Sequence, residues 1–164
     1  MSTHFKNRRE LILHLNQTKA EVVAEVGVRD GYFSKFILDN TSVKKLYAID
    51  PWEDNAELSK AEVSFETCKN LLQPFGERAE MVRGYSPFAA EMFEDDSLDF
   101  VFIDAGHDYD SVTKDITNWY PKIKNGGIIA GHDYHYDVGV YPAVNDYFKG
   151  KTIKQMGSCW IHEK

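Results

Sequence analysis

The chain has 164 residues, 43% hydrophobic and 13% aromatic, which is enough for one domain with a sizeable core and too short for a comfortable two-domain enzyme. That composition excludes a disordered chain, and no apolar run approaches the ~18 residues that a transmembrane helix requires. A formal charge of -7 disfavours a broad footprint on nucleic acid, and small or neutral substrates fit better than a polyanion.

The first residues, "MSTHFKNRRELILHL", carry basic groups but neither the long apolar segment nor the small-residue cleavage site of a secretory signal, so cytoplasmic residence is the expectation. Residues 1–20 read as a helical segment and 22–164 as the core of a single domain. Four runs, "EVVAEV" (21–26), "LYAI" (46–49), "LDFVFI" (98–103) and "GGIIAG" (126–131), are nearly continuous in apolar residues, as strands covered on both faces are. Between them Leu58, Ala61, Phe65, Cys68 and Leu72 step by three or four, and so do Val112, Ile116, Trp119 and Ile123. These spacings predict crossover helices.

Asp110 or Ser111 can cap the second of these helices, and "KIKNGG" supplies the basic residues, Asn and Gly that favour a helix end. A further helix is expected from about Val140 through Phe148, with Pro142 in its first turn and Gly150 as its stop. The tail, "KTIKQMGSCWIHEK", reads as two short strands around Gly157 and Ser158. Cys68 and Cys159 match neither a disulfide framework nor a CxxC pattern and read as small buried hydrophobes.

A βαβα alternation predicts a doubly wound, mostly parallel α/β sheet of three layers, whose ligands lie outside the carboxyl ends of the strands. The positions there are Gly27 to Gly31, Asp50 to Trp52, Gly84 to Ser86, Asp104 to Tyr109 and His132 to Tyr134. In the first of them, Gly27 and Gly31 are separated by three residues, which fits neither the GxGxxG of a dinucleotide turn nor the GK[ST] of a P-loop. A plain strand–helix turn explains such glycines equally well when the segment stands alone. Asp50, ending the next strand, shifts the balance, because a carboxylate there can accept both hydroxyls of a ribose.

"AEVGVRDGYFSKFIL", "LYAIDPW", "GYS", "LDFVFIDAGHDYDSVTKDITNWYPKIKNGGIIAGHDY" and "CWIHEK" together resemble a class I S-adenosylmethionine-dependent methyltransferase. The likeness is to the compact methyltransferase family 24, with its cephalosporin-hydroxylase-like and sugar O-methyltransferase sequences, and it covers the chain from about Val22. It implies a seven-stranded, Rossmann-like sheet with a reversed last strand, supplied by "SCWIHEK". It also implies a site in which Glu25, Gly27 and Gly31 line the methionine and ribose part of the cofactor. Asp50 would take the ribose hydroxyls, Trp52 would lie against the adenine, Ser86 near its amino group, and Asp104 near the methionine end. Carboxylates suit the sulfonium cation of such a donor.

Methyl transfer from a sulfonium needs alignment, exclusion of water and, for a hydroxyl acceptor, removal of a proton. The candidates stand in "DAGHDY" and "GHDYHY". His107 is the leading general base, with fixation of its loop as the equal alternative. Asp104, His132 and Asp133 could hold a divalent cation such as Mg²⁺, although His132 stands where related metal-dependent enzymes often have an acid, and histidine suits Mg²⁺ poorly. A zinc site on His132 and His135 lacks further ligands, so a structural or surface role suits His135 better. Tyr109, Tyr134 and Tyr136 are candidate walls for the acceptor, or packing.

The leading expectation is therefore O-methylation of a small-molecule or glycan hydroxyl, sugars ranking first by analogy. N-methylation competes, although "GHDY" occupies the place of an NPPY-like motif. A cofactor-binding module that needs a partner is the second class, and a homodimer completing the site is attractive because no inserted lid is evident. A nicotinamide oxidoreductase is disfavoured by the glycine spacing.

Overall fold

The computed structural model describes residues 6–53, 58–135 and 139–164. Tyr136, expected as a pocket wall, lies outside the described residues. Along the chain run α1 (Lys6–Thr18), β1 (Val22–Val26), α2 (Tyr32–Asn40), β2 (Lys45–Asp50), α3 (Leu58–Leu72), β3 (Ala79–Arg83), α4 (Ser86–Ala90) and β4 (Leu98–Ile103). After them come α5 (Tyr109–Trp119), β5 (Ile123–Gly131), α6 (Val140–Tyr147), β6 (Lys154–Met156) and β7 (Cys159–Glu163). All seven strands join one sheet in the order β3-β2-β1-β4-β5-β7-β6. β1 pairs in parallel with β2 and β4, whereas β7 runs antiparallel to both β5 and β6. The reversed strand is thus the last in sequence and the last but one in space.

The continuous apolar runs have the cause expected of them. Val23, Phe100, Phe102 and Ile128 point to one face, where they meet Leu11 and Leu15 of α1, Phe33 and Ile37 of α2, and Cys68 of α3. Their neighbours Ala24, Val26, Val101 and Ile129 point to the other, against Ile116 and Trp119 of α5 and Val144 of α6. Alternation is invisible in the sequence because both sides are covered. Cys68 and Cys159 are buried free thiols, as their bland reading required.

Two boundaries differ from expectation. Asp108, not Asp110 or Ser111, caps α5, its carboxylate accepting the Ser111 amide at 2.9 Å. "KIKNGG" is mostly strand: Ile123 already pairs with Leu98, and an irregularity in the β4–β5 ladder absorbs the residues before Ile128. Gly150 does follow α6 with φ 81°, the left-handed conformation that ends a helix. Among the described residues no helix is long and apolar enough to cross a membrane.

Candidate active site

The tips of β1 and β4 meet at Gly27. Its amide donates to the Ile49 carbonyl at 2.9 Å, the Asp104 amide donates to that of Val26 at 2.7 Å, and a Cβ at Gly27 would overlap the Asp104 carbonyl. With φ at 89° as well, only glycine fits there. Gly31 has a different task from the one expected. Its missing Cβ makes room for Cys68, whose Sγ would stand 2.7 Å away, so it serves the turn into α2 and the packing of α3 rather than the cleft wall.

Glu25 lies under the turn at 2% exposure, accepting the Ser34 hydroxyl. Burial pushes its carboxyl up to about 8, against the opposing pull of Ser34 and Arg8. Asp50 accepts the Arg29 amide at 2.9 Å on Oδ2 and the Trp52 amide at 2.7 Å on Oδ1. A carboxylate oxygen has a second lone pair, so both remain able to accept a ribose hydroxyl. Trp52 itself is a correction. At 3% exposure, with Nε1 donating to the Arg29 carbonyl at 2.7 Å and its ring edge-on to Phe65, it belongs to the core behind the cleft. Arg29, Trp52 and Asp133 carry positive φ beyond the carboxyl ends of β1, β2 and β5, as Lys19 and Asp96 do away from the cleft.

Beyond the end of β3, the Ser86 hydroxyl donates to Asp115 Oδ1 and accepts from Trp119 Nε1 at 2.9 Å. Asp115 is 4% exposed, and burial raises its carboxyl to about 6 while Ser86 acts in the opposite direction. Sequence reasoning passed over this residue, although a signal was present. Asp115 falls on the same stripe as Val112, Ile116 and Trp119, where a charge is out of place unless it has a task.

Asp104, His107, His132 and Asp133 converge beyond the ends of β4 and β5. His107 Nε2 lies 3.3 Å from Asp133 Oδ2 and 3.6 Å from Asp104 Oδ1. The Asp104 carboxylate raises the His107 pKa most, partial burial opposes it, and Asp133 adds to the rise. His132 is tethered differently, with Nε2 2.8 Å from the Ser158 hydroxyl and Nδ1 3.1 Å from Asp133 Oδ1. Among the described residues, the ligand atoms lying within 4.8 Å of one another belong to Asp104, His107 and Asp133. His107 therefore stands where His132 was expected in a metal set.

Arg8, another residue missed in the sequence, reaches in from α1 to place Nη2 2.6 Å from Asp104 Oδ2, with its guanidinium 4.7 Å from the centre of the Phe33 ring. A cleft of about 1140 Å³ joins these groups, with Glu25, Gly27 and Asp50 in its lining alongside Asp115, His107 and Asp133. That volume suits a nucleoside-sized cofactor together with a small acceptor. Tyr109 and Tyr134 do not line it: the Tyr109 hydroxyl bonds Asp146 and that of Tyr134 bonds Asn145. Tyr32 and Tyr85 do, each following a glycine by one residue.

Acidic strand ends around a glycine turn, under a seven-stranded sheet with a reversed β7, define the class I methyltransferase architecture. A family model for a methyltransferase domain matches residues 24–134, and the chain belongs to that family, methyltransferase family 24 of the S-adenosylmethionine-dependent enzymes. An uncharacterised protein of Acanthamoeba polyphaga mimivirus is 30% identical over 133 residues, 74% of this chain and 56% of its own length. The chain thus spans about half of that curated relative. Among solved structures, a Streptococcus mutans protein in complex with S-adenosylhomocysteine is similar with TM-score 0.67 and 12% identity, over 94% of this chain and 97% of the other. Spermidine synthase from Thermotoga maritima is similar with TM-score 0.63 and 18% identity, over 96% of this chain and 58% of the other. At such identities these likenesses concern the fold.

The donor set fits the family's cofactor. Two carboxyl groups, Glu25 and Asp50, flank a turn that carries no Cβ at Gly27, and a cationic ligand would compensate a buried acid whose one hydrogen-bond donor, Ser34, and nearby Arg8 do not offset its burial.

Proposed function

We propose that the protein transfers the methyl group of S-adenosylmethionine to a hydroxyl of a small molecule, with sugars first among the acceptors. The observation that carries this reading is one cleft holding both the Glu25, Gly27 and Asp50 cradle and the cluster of His107 with two carboxylates. When bound, the cofactor supplies an activated methyl group on a sulfonium. Asp50 receives the ribose hydroxyls, and the positive centre above Glu25 draws off the proton that burial keeps on its carboxyl. His107 takes the acceptor proton on Nδ1, while Nε2, facing the carboxylates of Asp133 and Asp104, is the nitrogen through which they orient the ring and stabilise the imidazolium that forms. Arg8 and Phe33 help cover the cleft from the α1 side and keep water from it.

The close grouping of Asp104, His107 and Asp133 also favours a second reading, in which they hold a divalent cation that binds the acceptor oxygen and lowers its pKa. One oxygen of Asp104 is engaged by Arg8, and a histidine ligand suits Mn²⁺ or Zn²⁺ better than Mg²⁺. Calorimetric titration with S-adenosylmethionine, S-adenosylhomocysteine and NAD tests the cofactor, and absence of binding by either adenosyl ligand overturns the proposal. A methyl-transfer screen over sugars, phenols and amines then fixes the acceptor. Run with and without a chelator, it separates proton removal by His107 alone from metal assistance. Turnover confined to amines would replace the hydroxyl reading with N-methylation.

A further inference from the structure

The cleft contains a buried carboxylate that the methyl-transfer scheme leaves idle. Trp119 Nε1 can only donate, and it donates to Ser86 Oγ at 2.9 Å. That fixes the serine's polarity. Its single proton goes to Asp115 Oδ1, so Ser86 has none left to give and the usable acceptor at this end of the cleft is the carboxylate. Asp115 lines the cleft together with Ser86, and with Oδ1 bonded, Oδ2 is the oxygen left to a ligand.

The surroundings say what kind of ligand this is. Ser86 follows Gly84 just beyond β3, and the Gly84 amide donates to the Asp50 carbonyl at 3.0 Å, so the Asp115 station is next to the place assigned to the ribose. A carboxylate in a half-closed apolar setting, with Trp119 and Ile116 fully buried behind it, excludes a ligand that offers only acceptors at that point. It demands N–H donors.

We propose that Asp115, held by the Trp119–Ser86 chain of hydrogen bonds, receives the exocyclic amino group of the cofactor's adenine and is the residue that distinguishes adenine from a 6-oxo purine. This deepens the cofactor reading given above and rests on it. Ser86, expected from the family resemblance to lie near that amino group, is on this account a positioning residue: it orients the carboxylate and does not itself select the base.

The test compares binding of S-adenosylhomocysteine and S-inosylhomocysteine by calorimetry, with no turnover involved. Wild-type protein should prefer the 6-amino ligand by at least about 30-fold, the scale of a lost hydrogen bond to a buried charge. In Asp115→Asn, Oδ1 still accepts from Ser86 while Nδ2 now offers a donor to the 6-oxo group, so the preference should collapse or invert. Ser86→Ala should keep the adenine preference with weaker binding overall. Equal affinity of wild-type protein for the two ligands overturns the assignment without recourse to any variant, and loss of preference in Ser86→Ala returns the role to the serine. Binding of neither ligand by wild-type protein would instead overturn the cofactor reading itself.

Discussion

At the amino end of the sheet, Asp99 accepts the Glu21 and Val22 amides at 2.9 and 2.8 Å and an ammonium proton from Lys124 at 2.7 Å. Burial acts to raise its pKa, but those partners win and hold it below the ordinary carboxylate range. At the carboxyl end, Glu25 has one hydroxyl donor and is pushed to about 8. The same strand, β1, therefore begins beside an acid, Asp99 of β4, whose charge the fold satisfies, and carries near its end an acid, Glu25, whose charge the fold suppresses. The first arrangement builds stability. The second leaves a buried acid in the cleft that the fold keeps protonated, the kind of perturbed carboxyl that ligand sites often contain.

Removing groups at each end should separate the two kinds of acid, and the largest effect is expected at the reacting cluster. His107→Ala should lower turnover by about 10²- to 10⁴-fold, the usual contribution of a general base, with cofactor affinity nearly unchanged in calorimetry. Unaltered turnover would reduce His107 to a loop fastener. Next comes Glu25. Its pKa of about 8 in the folded protein lies above the ordinary 4.5, so between those values the native state holds a proton that the unfolded chain has lost. Stability should fall as pH rises through that window, by up to about 1.4 kcal/mol per unit, and level off above it. Glu25→Gln should flatten the profile measured by denaturant titration and weaken S-adenosylmethionine binding; a profile as steep as that of wild type would mean another group is responsible.

Smaller effects belong to the other end of β1. Asp99→Ala strands two backbone donors and should cost about 1–3 kcal/mol in unfolding free energy while leaving cofactor affinity alone. Lys124→Ala removes only a partly exposed partner and should cost about 0.5 kcal/mol, diminishing in high salt. If Asp99→Ala proved to impair ligand binding more than stability, the contrast between the two ends would not hold.

What could be read from the sequence followed the physics of each element. β4 is apolar on both faces, and its run "LDFVFI" coincides with the observed strand. β3 is an edge strand in which only Val82 is buried, so it gives no apolar run, and only the glycine after it marked its place. Glu25, Asp104 and His107 stood out beside strand-end glycines and Asp50 as an acid ending a strand, and the fold brings all four to the lining of one cleft. Gly31 and Trp52 misled because a packing glycine and a core tryptophan look the same in sequence as cofactor contacts. Asp115 and Arg8 depend on tertiary placement, one on an otherwise apolar helical stripe, the other 96 positions from the carboxylate it pairs with.

Arg8 spans that distance with one guanidinium, laid over Phe33 and Phe102, with Nε buried and without a hydrogen-bond partner among the described residues. In kinetic language α1 is fastened to the cleft by a clip whose other jaw is the Asp104 carboxylate, proposed above as a cation ligand. A cation bound at Asp104 would compete with that clip. On that proposal, the rate at which the amide hydrogens of α1 exchange with solvent would be a clock for occupancy of a site formed mainly by the strands beneath it.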